Sequence, residues 1–129
     1  MKISLIIPVY TVEQYIGRCL QSCLCQPHVA ADGYVLVIVN DGTKDSSMHV
    51  VEGMTRDYTT VTIINQHNQG LSMARNAGLK AAKGEYVWFI DSDDWIEVNC
   101  LHGIIERLEQ TKVDVLQLQY KNVYNDDIP

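Results

Sequence analysis

Apolar residues come in two kinds of packet along this 129-residue chain. The first kind is a short run without alternation. Lys2–Val9, Tyr34–Val39 and Tyr86–Ile90 each predict a strand buried on both faces, as in a parallel sheet, and Val61–Ile64 predicts a shorter one. The second kind recurs at intervals of three and four. Val12, Tyr15, Ile16, Cys19, Leu20, Cys23 and Leu24 predict an amphipathic helix from Val12 to about Gln26, ended before Pro27. Met48, Val51 and Met54 predict a second helix, capped by Asp45 or Ser46 and running to about Asp57. Leu71–Ala82 predicts a third, whose small residues Ala74, Ala77, Gly78, Ala81 and Ala82 let it lie close against a sheet, and Glu97–Thr111 a fourth. Val113–Tyr120 alternates and predicts an edge or one-sided strand. Strand and helix alternate throughout, which calls for an α/β sandwich with a mostly parallel sheet and right-handed crossovers. The expected layout is one domain over residues 1–121 and a frayed tail over 122–129.

Composition narrows the function classes. A hydrophobic content of 47% supplies one real core, while a net charge of −6 and a pI near 5.0 argue against nonspecific nucleic-acid binding. An acidic chain that handles phosphates must do so locally, through a metal, a few basic side chains or helix N-termini. Ser4 and Pro8 interrupt the N-terminal apolar run, and no stretch approaches the roughly 18 apolar residues that a membrane helix needs. The expected location is therefore cytoplasmic, including the inner membrane face, without a signal peptide. Cys19, Cys23, Cys25 and Cys100 read as reduced thiols, mostly buried, and His28, His49, His67 and His102 as scattered packing or surface residues.

The chemistry-bearing residues fall where strands end. Asp91-Ser92-Asp93-Asp94 follows the fourth strand at once. Aspartates so crowded repel one another unless a cation sits among them, and in extended chain Asp91 and Asp93 point to one side. A competing reading makes Ser92 or Asp93 the N-cap of a helix starting near Ile96. Tyr10 follows the first strand, and Asp41 with Gly42 the second. In parallel sheets ligands bind beyond the carboxyl ends of strands, where the strand order reverses, so these residues can share one crevice. Tyr10 offers a flat face to a nucleobase and Asp41 a carboxylate to a base imide, while Arg75, beside Ser72 and Asn76 on the third helix, is the best local candidate for an anionic group.

Four stretches together resemble the N-terminal part of family 2 inverting glycosyltransferases with the GT-A fold. They are Ser4–Tyr10 with Val12 and Tyr15; Val39–Ser46; Asn68–Gly78; and Lys83–Tyr86 continuing through Asp91–Trp95. The resemblance implies a Rossmann-like three-layer α/β sandwich and a nucleotide-diphosphate-sugar donor, commonly a uridine diphosphate sugar. It assigns donor binding to Pro8, Tyr10, Asp41, Gly42, Arg75, Asp91 and Ser92. Asp91-Ser92-Asp93 becomes a DXD motif, with Asp93 and Asp91 holding Mn²⁺ or Mg²⁺. Hexosyl or N-acetylhexosaminyl transfer to a saccharide or lipid-linked acceptor, in polysaccharide biosynthesis, is the implied reaction. Asn40 stands where many members carry aspartate, and Thr43 where serine is usual. Family members continue well past this length. The general base is therefore expected beyond the C-terminus, with Asp114, Asp126 and Asp127 matching no motif, and the chain reads as a C-terminally truncated donor-binding half, inactive alone and open to self-association. Two rivals remain. One is a non-catalytic nucleotide-binding or assembly fragment. The other is a haloacid-dehalogenase-type phosphatase, which shares a hydrophobic strand followed by DxD but carries it on its first strand.

Overall fold

A computed structural model describes residues 2–123. Eight elements alternate along it: β1 (Ile3–Val9), α1 (Ile16–Leu24), β2 (Tyr34–Asp41), α2 (Ser47–Thr55), β3 (Val61–Gln66), α3 (Leu71–Ala81), β4 (Tyr86–Phe89) and α4 (Leu101–Thr111). All pairings are parallel, in the order β3-β2-β1-β4. The chain steps outward from β1 to β3 and then crosses back to place β4 on the other side of β1. The order therefore reverses between β1 and β4, which opens a crevice at their carboxyl ends.

The sheet separates two cores. On one face Ile3, Leu5, Ile7, Leu36 and Ile38 pack with Ile16, Leu20, Val51, Leu101 and Leu108 from α1, α2 and α4. On the other, Ile6, Val37 and Val39 meet Ala74 of α3. This is the expected three-layer α/β arrangement. The small residues of α3 act as anticipated: a Cβ on Gly78 would stand 2.4 Å from Ile6 Cγ2, so helix and sheet touch with no room for a side chain.

Three expectations require correction. Val113–Tyr120 is not a strand; it runs without regular structure, with Val115 and Tyr120 largely exposed. Its alternation satisfied a local pattern, but no ladder partner stands beside it among the described residues. Second, β4 is not buried on both faces. It lies at an edge of the sheet, where Val87 and Phe89 are about two-fifths exposed (41% and 39%). Third, residues 12–15 form a turn rather than the first turn of α1, with Tyr15 N and Ile16 N both donating to Val12 O, and α4 starts at Leu101 rather than Glu97. Of the expected frayed tail, Asn122 and Val123 carry no regular structure and 124–129 lie outside the described residues. No described helix is long and apolar enough to cross a membrane. All four cysteines are free, with Cys19 and Cys23 buried side by side on α1 and Cys25 exposed. Two of the histidines meet rather than scatter: His28 and His102 stack edge-on, 6.1 Å apart.

Candidate functional site

The strand that ends in Asp41 runs two residues further than its apolar run, because Asn40 and Asp41 still pair with Asn65 and Gln66 of β3. That extension buries the carboxylate, leaving Asp41 only 3% exposed. Its Oδ1 accepts from Gln66 Nε2 (2.9 Å) and Gln69 N (2.8 Å), and its Oδ2 from Gly70 N (3.0 Å). Burial alone would raise its pKa, but these donors prevail and hold it below the ordinary carboxylate value. The turn it gathers depends on glycine: Gly70 sits at φ 95° and Gly42 at φ 71°, and a Cβ on Gly42 would come within 2.7 Å of Asn68 N. Nearby, Thr43 Oγ1, Ser47 N and Glu13 N donate to the Asp45 carboxylate, tying the residues after β1 to the start of α2. Asp45, rather than Ser46, thus satisfies the first N–H of α2, since the Ser46 side chain makes no capping bond.

At the end of β4, Ile90 N still donates to Ile6 O, and the chain then turns sharply, with Asp94 N donating to Asp91 O (2.9 Å). The turn brings one carboxylate oxygen each from Asp91, Asp93 and Asp94 within 4.8 Å of one another. Arg75 Nη2 pairs with Asp91 Oδ1 at 2.8 Å, both side chains partly exposed. Desolvation, then the charges of Asp93 and Asp91, raise the Asp94 carboxyl above its ordinary value, and Arg18 opposes them. No described helix begins between Ser92 and Cys100, so this cluster is not the acidic helix cap that was the competing reading. Crowded, hard oxygen donors facing outward are the set that Mg²⁺ or Mn²⁺ prefers, and these residues fit such an ion.

The two ends face each other across a cleft of about 460 Å³. Six of the expected residues line it: Pro8, Tyr10, Asp41, Asp91, Ser92 and Asp93. Tyr10 stands at its rim, about half exposed, and Ser92 is buried in its wall. Gly42 and Arg75 lie just behind, the one against Asn68 and the other against Asp91. Reading the sequence missed the lining residues Asn68, Gly70, Leu71 and Ala74, and it missed Gln66, which orients Asp41. The glycine and amides of the Asn68–Gly70 turn were a usable signal; Gln66, a neutral residue at a strand end, offered none. Asp114 is exposed and does not line the cleft, and Asp126 and Asp127 lie outside the described residues.

The family model described as glycosyl transferase family 2 matches residues 4–128. The glycosyltransferase GlyA of Streptococcus pneumoniae is 38% identical over 114 residues, which are 88% of this chain and 16% of that protein. The uncharacterized glycosyltransferase EpsJ of Bacillus subtilis is 37% identical over 114 residues, 88% of this chain and 32% of that one. The chain thus spans about a third or less of the length of these relatives. Among solved structures, Staphylococcus aureus TarS 1–349 in complex with UDP-GlcNAc superposes with a TM-score of 0.90 at 32% identity, covering 100% of this chain and 37% of that one.

Proposed function

The chain belongs to glycosyl transferase family 2, and from that premise we propose that it binds a uridine diphosphate hexose or N-acetylhexosamine together with a divalent cation, as the donor-binding part of an inverting sugar transferase. One observation carries this reading: the buried Asp41 carboxylate and a turn of converging acidic side chains line a single cleft where the strand order switches. The TarS complex with UDP-GlcNAc, on the same fold at 32% identity, supports the choice of donor class. The phosphatase alternative loses its footing, since its nucleophile would have to stand on the first strand and the family is a different one.

Each residue has a physical task in this proposal. Among the described residues Asp41 Oδ2 accepts one hydrogen bond, which keeps a lone pair for an imide N–H of the base. Tyr10, held at the rim, covers the base with its ring, and Pro8 shapes the wall beneath. Arg75 spends one nitrogen on Asp91 and keeps further N–H groups for diphosphate oxygen. Asp93 and Asp91 would hold Mg²⁺ or Mn²⁺, with Ser92 buried in the donor-binding wall between them. When bound, the ion neutralises the departing diphosphate. Inverting transfer also requires a base for the acceptor hydroxyl. Among the described residues the carboxylates lining the cleft are Asp41, Asp91 and Asp93, all assigned to the donor, so the described chain contributes donor binding rather than transfer.

Calorimetry with uridine, guanosine and thymidine diphosphates, with and without Mn²⁺, tests the proposal. Binding that prefers the uridine nucleotide, tightens strongly with the metal and loses that gain in Asp93→Ala is the expected result. Affinity indifferent to EDTA and to that substitution defeats it.

A further inference from the structure

The acidic turn is gripped from behind by a helix some seventy-five residues earlier in the chain. Arg18 Nη2 of α1 donates to Asp93 O (3.2 Å), Cys19 Sγ to Asp91 O (3.8 Å), and Ser22 Oγ accepts from Ile96 N (3.1 Å). Just past the helix, Gln26 donates to Glu97 O and accepts from Leu101 N. Within α1, positions 18, 19 and 22 fall within an arc of about 100°, so one helix face carries these anchors.

Arg18 differs from its neighbours in this row. It alone is charged, and its guanidinium carbon lies 3.9 Å from the centroid of the Trp95 ring. Its Nε is buried without a hydrogen-bond partner. An arginine held this way is not an ordinary solvated surface charge: the indole face takes up what the missing partner would supply. Nor is it spent on a carboxylate. Among the described residues the aspartate paired with an arginine is Asp91, and its partner is Arg75. Arg18 bonds the carbonyl of Asp93 instead, which fixes the backbone of the turn while leaving the Asp93 carboxylate oxygens unoccupied.

We propose that Arg18 is a positioning residue for the divalent-ion site. Clamped between the Trp95 ring and the Asp93 carbonyl, it holds the Asp91–Trp95 turn with its carboxylates converged before any cation arrives. The inference rests on the metal-dependent nucleotide binding proposed above. Without Arg18 the carboxylates repel and splay, and the cation must gather them, so affinity for the cation falls. The Asp41 end of the cleft is untouched.

The test titrates the whole chain with Mn²⁺ alone, followed by electron paramagnetic resonance, and with UDP, with and without Mn²⁺, by calorimetry. In Arg18→Ala the dissociation constants for Mn²⁺ and for Mn²⁺-UDP rise about tenfold, the scale expected of residues that orient metal ligands. Metal-free UDP binding stays at the wild-type value. Arg18→Lys keeps the charge without the planar stack, so it recovers less than half of the loss on a logarithmic scale, and it serves as the second variant should alanine fail to fold. Ser22→Ala, which removes the anchor at Ile96, past the Asp91–Trp95 turn, lowers thermal stability and leaves Mn²⁺ affinity unchanged. Equal Mn²⁺ affinity in wild type and folded Arg18→Ala overturns the proposal. So does a Ser22→Ala variant that weakens Mn²⁺ as much as Arg18→Ala does. A wild-type chain whose UDP binding ignores Mn²⁺ overturns the nucleotide-metal reading itself, and this inference falls with it.

Discussion

Asp41 lines one end of the cleft and Asp94 belongs to the acidic turn that forms the other, and their surroundings push these two aspartates in opposite directions. Asp41 is buried and gathers three N–H donors, so its charge is satisfied by the fold and its carboxyl titrates low. Asp94 stands with Asp91 and Asp93 in a turn where desolvation and like charge push its carboxyl upward, with Arg18 opposing only in part. One end is finished before a ligand arrives; the other is left frustrated, and in the proposed function a cation would complete it. Substitution should therefore damage stability at the first end and affinity at the second.

The sharpest break in that contrast comes from Asp93→Ala. If Asp93 is a direct ligand, as proposed, its loss should cost more than the tenfold to hundredfold typical of residues behind the ligands, so Mn²⁺-UDP affinity should fall by about 100-fold or more. Stability should hold or rise slightly, since one of the crowded charges is gone. Calorimetry paired with urea denaturation checks both halves.

Asp41→Asn should do the reverse. An amide presents an NH₂ where the carboxylate accepts, which leaves buried donors of Gln66 or the Gln69–Gly70 backbone unpaired. A loss of about 1–3 kcal/mol in unfolding free energy follows, together with weakened preference for uridine over guanosine nucleotides. If Asp41→Asn is as stable as wild type, its end of the cleft is not prebuilt and the contrast fails.

This division also explains what could be read in advance. Unbroken apolar runs such as Tyr34–Val39 announce central strands because burial on both faces leaves no polar position. The acidic and glycine residues at strand ends marked the cleft for the same reason: they are unfavourable there unless something uses them. Val113–Tyr120 failed because alternation describes one face of a strand and says nothing about whether a neighbouring strand exists to pair with it. Tyr86–Ile90 met the opposite difficulty, since an apolar run does not reveal that β4 lies at the sheet edge with Val87 and Phe89 open to solvent. Arg18 looked like any helix-surface arginine. Its contact with Trp95 and Asp93 exists only once α1 packs beneath the acidic turn, a relation with no local trace in the sequence.

A smaller effect probes the rigidity of the base end without touching a charge. Gly42→Ala forces a Cβ at φ 71° to within 2.7 Å of Asn68 N, and the backbone there cannot yield without disturbing the turn that feeds Asp41. A destabilisation of about 1–3 kcal/mol is expected, with UDP affinity reduced whether or not Mn²⁺ is present. A metal-dependent loss instead would mean that the two ends are mechanically coupled.

The smallest expected effect is the most diagnostic of sign. Stability rises with pH wherever the unfolded chain binds more protons than the native one. Asp45 illustrates the satisfied kind of carboxylate. Burial would raise it, but the Thr43 and Ser47 hydroxyls and the Ser47 and Glu13 N–H groups hold it at about 2 against an ordinary 3.8. Its contribution, and that of Asp41, is complete above the ordinary value and is lost as pH falls through the native one. Asp94 is raised, so between its ordinary and native values the native chain holds the extra proton, and stability there falls as pH rises. A urea midpoint measured against pH without metal should thus climb out of the acid range and then dip slightly once Asp94 ionises. Saturating Mn²⁺ should remove the dip and turn it into a rise, because an ion that binds only ionised carboxylates in the native state stabilises more as they deprotonate. A dip that survives Mn²⁺, or one that persists in Asp94→Asn, would place the frustrated charge somewhere other than the acidic turn.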